Sequence, residues 1–203
     1  MRLRRAFVFR LLVGAAALGL IAGQVPDASA APWYSQQFSA TLVQTPPPGR
    51  GGSKRTGRLF VGDAALRFEL AAPGPVYIYD VRRDRRWILF PDQRRYAETK
   101  GAGPLADFLP RPGGNPCAGI PATGVTCRRT GTERVNGRVA DRWEVQLQAG
   151  GRKFVGFRWV DRQLGVPVRL VTYEGARVDL LDIRTGPQPP SLFRLPADYR
   201  PAR

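Results

Sequence analysis

Residues 76–99, VYIYDVRRDRRWILFPDQRRYAET, decide how the rest of the chain is read. Two apolar runs, Val76–Val81 and Trp87–Phe90, flank the charged step Arg82-Arg83-Asp84-Arg85-Arg86. Runs rich in β-branched and aromatic residues, separated by a short polar step, predict two antiparallel strands joined by a turn. Pro91 has no N–H to give to a ladder and ends the second strand. Residues 93–99 then resume in extended character around Tyr96. Large side chains fall on both faces of each run, Ile78 against Tyr77 and Tyr79, Trp87 and Leu89 against Ile88 and Phe90. A sheet with one face in water alternates apolar with polar residues. This pattern instead predicts a sheet covered on both sides, or one that faces something apolar.

The same strand grammar extends in both directions. Upstream, residues 33–43 alternate around Phe38, Ala40 and Leu42, and Pro46–Gly52 is a loop. Gly57–Val61 and Ala65–Leu70 form a hairpin around Gly62-Asp63, with Leu66 and Phe68 on one face and Arg67 and Glu69 on the other. Downstream, Pro104–Leu109 is the best candidate for a short helix. Five further strands are predicted at Thr130–Val135, Arg138–Gln148, Lys153–Val160, Val166–Tyr173 and Ala176–Ile183. Asn136-Gly137 is the strongest hairpin signal among the turns between them. About ten strands at this spacing, with almost no helix, predict an antiparallel meander. A meander that long must curl, close or split, and a curled sheet with a partly open concave face suits an elongated apolar ligand.

The N-terminal stretch reads as a targeting segment. Arg2, Arg4 and Arg5 precede an uncharged apolar run from Leu11 to Gly23, and Ala28-Ser29-Ala30 offers a small-residue cleavage site before Ala31. The run is shorter than the ~20 residues that a helix needs to cross a bilayer. Residues 1–30 are therefore expected to be a cleaved signal peptide, and residues 31–203 one exported domain. Cys117 and Cys127 lie in a Pro/Gly-rich loop, RPGGNPCAGIPATGVTC, and are expected to form a disulfide in an oxidising compartment. Closing so short a loop contributes about 2–3 kcal/mol.

The chain carries a net charge of +16, nearly all of its cations being arginine. Such a charge attracts polyanions, but no zinc-finger, helix-turn-helix or RNP pattern is present, so nucleic acid is not the expected partner. Anionic lipid head groups or envelope polysaccharide fit an exported protein better, and a merely solvated arginine surface is the plain alternative. Histidine is absent, which removes imidazole bases, triads and His metal ligands. Residues 52–57 superficially look like a phosphate loop but lack the Lys-Ser/Thr pair and open a strand. Asp80 and Asp84 are read as neutralising Arg82, Arg83, Arg85 and Arg86 rather than as paired acids. No enzyme, cofactor or metal is expected.

Five segments, in order, resemble the lipoprotein-carrier-like (LolA/LolB-like) superfamily of bacterial envelopes. They are Gly57-Arg58-Leu59-Phe60-Val61 with Leu66-Arg67-Phe68-Glu69; Arg86–Pro91 followed by Tyr96 and Glu98; GTERVNG at 131–137 leading into Trp143; Trp159-Val160-Asp161 with Leu164-Gly165-Val166-Pro167; and Phe193-x-Leu195-Pro196-x-x-Tyr199. The resemblance implies a strongly curved, incompletely closed antiparallel sheet, a half-barrel, with one or two short helices on its concave side. It implies a periplasmic, Gram-negative relative of unassigned role that binds or carries acyl chains of a lipid or lipoprotein. The alternative is an envelope sensor or interaction module with a filled core, binding a partner protein, the membrane surface or an anionic polymer through its arginines. The Cys117–Cys127 loop falls where the family places lid elements. Leu66, Phe68, Ile78, Trp87, Leu89, Trp143, Val145, Phe157 and Trp159 are the candidate groove residues, and Arg67 is the candidate contact to a lid carbonyl or a head group. Which face of each strand is concave stays open, since a slip of one residue exchanges Trp87 and Leu89 for Ile88 and Phe90.

Overall fold

The computed structural model describes residues 34–71, 73–109, 115–117 and 124–202. The expected signal peptide and most of the disulfide loop lie outside the described residues. Twelve strands form one sheet: β1 (Phe38–Thr45), β2 (Arg55–Val61), β3 (Ala65–Leu70), β4 (Val76–Asp80), β5 (Arg85–Phe90), β6 (Arg95–Lys100), β7 (Val125–Val135), β8 (Arg138–Ala149), β9 (Arg152–Asp161), β10 (Pro167–Val171), β11 (Arg177–Thr185) and β12 (Arg200–Pro201). Their order is β12-β6-β5-β4-β3-β2-β1-β11-β10-β9-β8-β7, so the sheet is open, with β12 and β7 at its edges. β1 is the seam, pairing with β2 on one side and β11 on the other. The half-barrel reading holds: one open, almost wholly antiparallel sheet.

The 76–99 hairpin forms as read, with Ile78 opposite Trp87 and Tyr77 opposite Ile88. Its turn is tighter than the charged step suggests, because Asp84 adopts a left-handed φ of 48° and lets β5 begin at Arg85. The Asp80 carboxylate accepts hydrogen bonds from the Arg83 amide and guanidinium, closing the turn. Asn136 and Gly137 take φ of 50° and 80°, as a primed two-residue hairpin turn requires.

The short helix expected at Pro104–Leu109 forms as a 3₁₀ turn, Gly103–Phe108, with Leu105 N–H bonding back to the Ala102 carbonyl. It is too short to recover the cost of nucleating an α-helix. β7 begins at Val125 rather than Thr130, so Cys127 lies inside a strand, opposite Val145. Nothing local to the Gly-rich loop announces that strand; β8 supplies its ladder. The two-residue β12 runs parallel to β6, pairing Arg200 with Arg95.

Because paired residues share a face of the sheet, two cores can be followed across it. On the first face Leu42, Leu59, Val61, Leu66, Phe68 and Tyr79 pack together beneath Leu105 and Phe108 of the 3₁₀ turn. Gly57 lies so close to the Phe68 ring and the Glu69 carbonyl that a Cβ there would clash at 2.8 and 2.5 Å, which explains the glycine that opens the resemblance motif. On the second face Val76, Ile78, Trp87 and Leu89 are covered by Leu195 and Tyr199 of the C-terminal segment. The hairpin is thus covered on both sides, as its sequence predicts.

Candidate functional site

The nine candidate groove residues do not come together. Leu66 and Phe68 lie on the first face and are 0% and 4% exposed under the 3₁₀ turn. Trp143 and Val145 share that face: Trp143 stands opposite Arg158, which pairs with the buried core residue Leu170 and salt-bridges Asp107 of the turn at 2.9 Å. Ile78, Trp87 and Leu89 are on the second face, against the C-terminal segment. Phe157 and Trp159 are on it too, since Trp159 is opposite Arg142 and Arg169. The side-chain period of two splits the set. Ile88, opposite Tyr77, and Phe90 are the first-face residues of β5, and the one-residue ambiguity named above was the signal that pointed to them.

Arg67 does bond a carbonyl of a covering segment, though not the expected one. Its Nε donates to Glu69 Oε1 at 2.6 Å and its Nη1 to the Leu192 carbonyl at 3.1 Å, in the C-terminal 3₁₀ turn Pro190–Phe193. Cys117 and Cys127 are disulfide-bonded, with their Cα atoms 5.8 Å apart. Since Cys127 is opposite Val145, the bridge tethers the segment that follows the Gly103–Phe108 turn to the Val145 face of β7 and β8.

On the second face arginines lie over aromatic rings. The Arg142 guanidinium is 4.4 Å from the Phe157 centroid and 5.6 Å from that of Trp159, and Arg169 is 5.8 Å from Trp159. The Trp159 indole donates to Glu133 at 3.0 Å, and Asp179 receives both Arg169 and Arg177. Both rings are half-buried, and Trp159 also packs against Val135, Ala140 and Val168.

Asp161, Asp141 and Asp84 are each held by donors of the chain itself. Asp161, 2% exposed, accepts from Arg138 and from the amides of Gln163 and Leu164, fixing the turn of the Trp159–Pro167 motif. Burial would raise the Asp141 pKa, but hydrogen bonds from Arg129, Arg162 and Thr132 outweigh it and hold it at about 2. Asp84 accepts from the Tyr79 hydroxyl at 2.7 Å and the Gly101 amide at 3.0 Å. Burial, then that bond, pushes Tyr79 up to about 12. Among the described residues no group of three or more Cys, Asp or Glu could hold a metal ion.

Open clefts lie at the ends of several strands, among them two beside arginines. One, of about 330 Å³, is lined by Arg134, Arg138, Asp161 and Arg162. The other, of about 540 Å³, lies between Gln44, Pro46, Arg55 and Arg177. Large apolar side chains are exposed at Val139, Leu147 and Tyr173, 41%, 38% and 58%, and Trp143, Val145 and Phe154 beside Leu147 are half-buried.

No protein-family description and no curated protein matches the sequence. Solved structures match the fold. MucB in complex with MucA(peri) aligns with a TM-score of 0.50 at 22% identity, over 80% of this chain and 55% of that one. The Pseudomonas aeruginosa MucA/MucB complex aligns with a TM-score of 0.51 at 20% identity, over 81% of this chain and 57% of that one. A LolA superfamily protein from Nitrosomonas europaea also matches, with a TM-score of 0.37 at 10% identity, over 79% of this chain and 90% of its own. The chain therefore spans little more than half the length of the MucB chains it matches. The fold is the one shared with the MucB chains.

Proposed function

We propose that this is an exported, non-enzymatic protein of the Gram-negative periplasm that recognises a partner protein through the half-buried strands β7–β9. One observation carries the reading: the first face at Leu66 and Phe68 is filled by the chain's own Leu105 and Phe108, all four at most 4% exposed. A carrier needs that space empty. The apolar surface left open lies on β8 and β9, at Trp143, Val145, Leu147 and Phe154. MucB, of the same fold, has been crystallised with MucA(peri), a precedent for partner binding by this architecture.

The same strip favours a second reading. A hydrocarbon tail laid along it gains ~0.8 kcal/mol per buried CH₂, so acyl-chain binding on the ribbon competes with partner binding. Photo-crosslinking in the periplasm from position 147, with exposed position 92 as the control, separates the two. A discrete polypeptide adduct at 147 but not at 92, lost in Trp143→Ala, is the expected result. Adducts with lipid alone, together with fatty acid co-purifying in native mass spectra, would establish the acyl-chain reading instead.

A further inference from the structure

The cleft of about 540 Å³ lies where the end of β1 meets the starts of β2 and β11. Two contacts fix the loop that walls it. Arg50 forms a two-pronged ion pair with Glu174, at 3.1 and 3.2 Å, across to the turn before β11. Gly175 of that turn has a φ of +87°, and a Cβ built there would lie 2.9 Å from Pro48 Cδ. The loop therefore seats directly on the turn, and the residues that follow, Gly51, Gly52 and Ser53, line the cleft.

The lining offers donors and no acid. It contains Arg55 and Arg177, the amide of Gln44 and the hydroxyls of Thr45 and Ser53, but neither Asp nor Glu. Most of these donors are unspent. Among the described residues the side chains of Arg55, Gln44 and Ser53 form no ion pair or hydrogen bond, and the Thr45 hydroxyl has no partner. Arg177 meets Asp179 at 2.8 Å, but Asp179 also receives Arg169 at 2.6 Å, so that trio keeps one positive charge. Arg55 adds a second. Glu174, beside the cleft, is already taken by Arg50.

We propose that this cleft binds a phosphate monoester of a polyol, with Arg55 and Arg177 taking the phosphate and Gln44 and Ser53 the hydroxyls. Donors without a carboxylate among them select an anion. Two uncompensated positive charges match a phosphate monoester, which carries about −1.5 to −2 at neutral pH, better than they match a single carboxylate. Guanidinium forks suit phosphate oxygens. The volume falls in the range of about 300–1,000 Å³ typical of small-molecule sites and leaves room for an organic part beyond the phosphate. Residues 52–57 lack the Lys-Ser/Thr pair of a nucleotide-binding loop, so a nucleoside triphosphate is not the ligand. The cleft is separate from the β7–β9 surface and stands or falls independently of it.

The test is calorimetric titration of the intact purified protein with glucose 6-phosphate and with glucuronate, and co-sedimentation with phosphatidylcholine vesicles containing phosphatidate, a monoester carried on a lipid. Arg55→Gln and Arg177→Gln are run beside the parent, with Arg134→Gln, at the other cleft, as the control for diffuse charge. The parent is expected to bind the phosphate monoester at least tenfold tighter than glucuronate. Arg55→Gln is expected to weaken that binding at least tenfold and Arg177→Gln several-fold, with Arg134→Gln unchanged. Arg55 is exposed and its side chain has no partner among the described residues, so its replacement leaves the fold intact. Arg55-dependent binding of glucose 6-phosphate identifies a soluble ester; Arg55-dependent binding of the phosphatidate vesicles alone identifies a lipid head group. Binding of neither, glucuronate binding as tightly as glucose 6-phosphate, or Arg134→Gln weakening binding as much as Arg55→Gln would overturn the proposal.

Discussion

Strands β3–β5 and strands β7–β9 lie on opposite sides of the β1 seam and meet the same requirement differently. The first group is closed on both faces by its own chain: Leu105 and Phe108 on one, Leu195 and Tyr199 on the other. The second group contains the longest strands of the sheet, 11, 12 and 10 residues, yet most of its apolar side chains remain half-exposed. Ion pairs and arginine–aromatic contacts hold it, among them Arg158–Asp107, Arg128–Glu144 and Arg142 over Phe157. The first group is sealed by the chain's own residues, whereas in the second the arginines engage the Phe157–Trp159 face and leave Trp143, Val145 and Leu147 on the other face half-exposed.

The contrast is most sharply broken at Phe108. Phe108→Ala is expected to cost about 3–5 kcal/mol by leaving a cavity over Leu66 and Phe68, whereas Leu147→Ser on the ribbon should stay within about 0.5 kcal/mol. Urea unfolding of both variants measures this, and equal losses would abolish the distinction between the two regions. The disulfide comes next. Replacing Cys117 and Cys127 together by Ser is expected to cost about 2–3 kcal/mol, read as a lowered thermal midpoint under non-reducing conditions. The loss should be accompanied by faster amide exchange in β7, which the bridge anchors from inside the strand.

A smaller loss than either the Phe108 or the disulfide variant is expected from an electrostatic contact confined to the ribbon. Asp141 has its folded pKa lowered to about 2, against ~3.9 in an unfolded chain. Its contribution is therefore complete above about pH 4 and is lost as pH falls toward 2; partial exposure limits it to about 1–2 kcal/mol. Asp141→Asn should remove that portion of the acid-induced stability loss, and a variant whose acid limb follows the parent's would show that the Arg129–Asp141–Arg162 cluster contributes nothing.

The strands were legible because the side-chain alternation is local: Arg138–Ala149 and the 76–90 hairpin formed where the pattern put them. The candidate site was less legible. Phe68 and Trp87 look alike in sequence, each a large ring in an alternating run, yet they point to opposite faces. Arg67 looked like a contact to a lid and does hold a covering segment, but that segment arrives from residue 192.

The residues alone determined the class of fold, the hairpin turns and the pairing of the two cysteines, since period-two alternation, the Asn136-Gly137 turn and a two-cysteine count are short-range properties. The tertiary structure decided which face each ring occupies, that Leu105 and Phe108 fill the first face, and that the last strand returns in parallel beside β6. Those outcomes depend on register and on segments brought together from far along the chain, and a shift of one residue in pairing exchanges one face of a strand for the other.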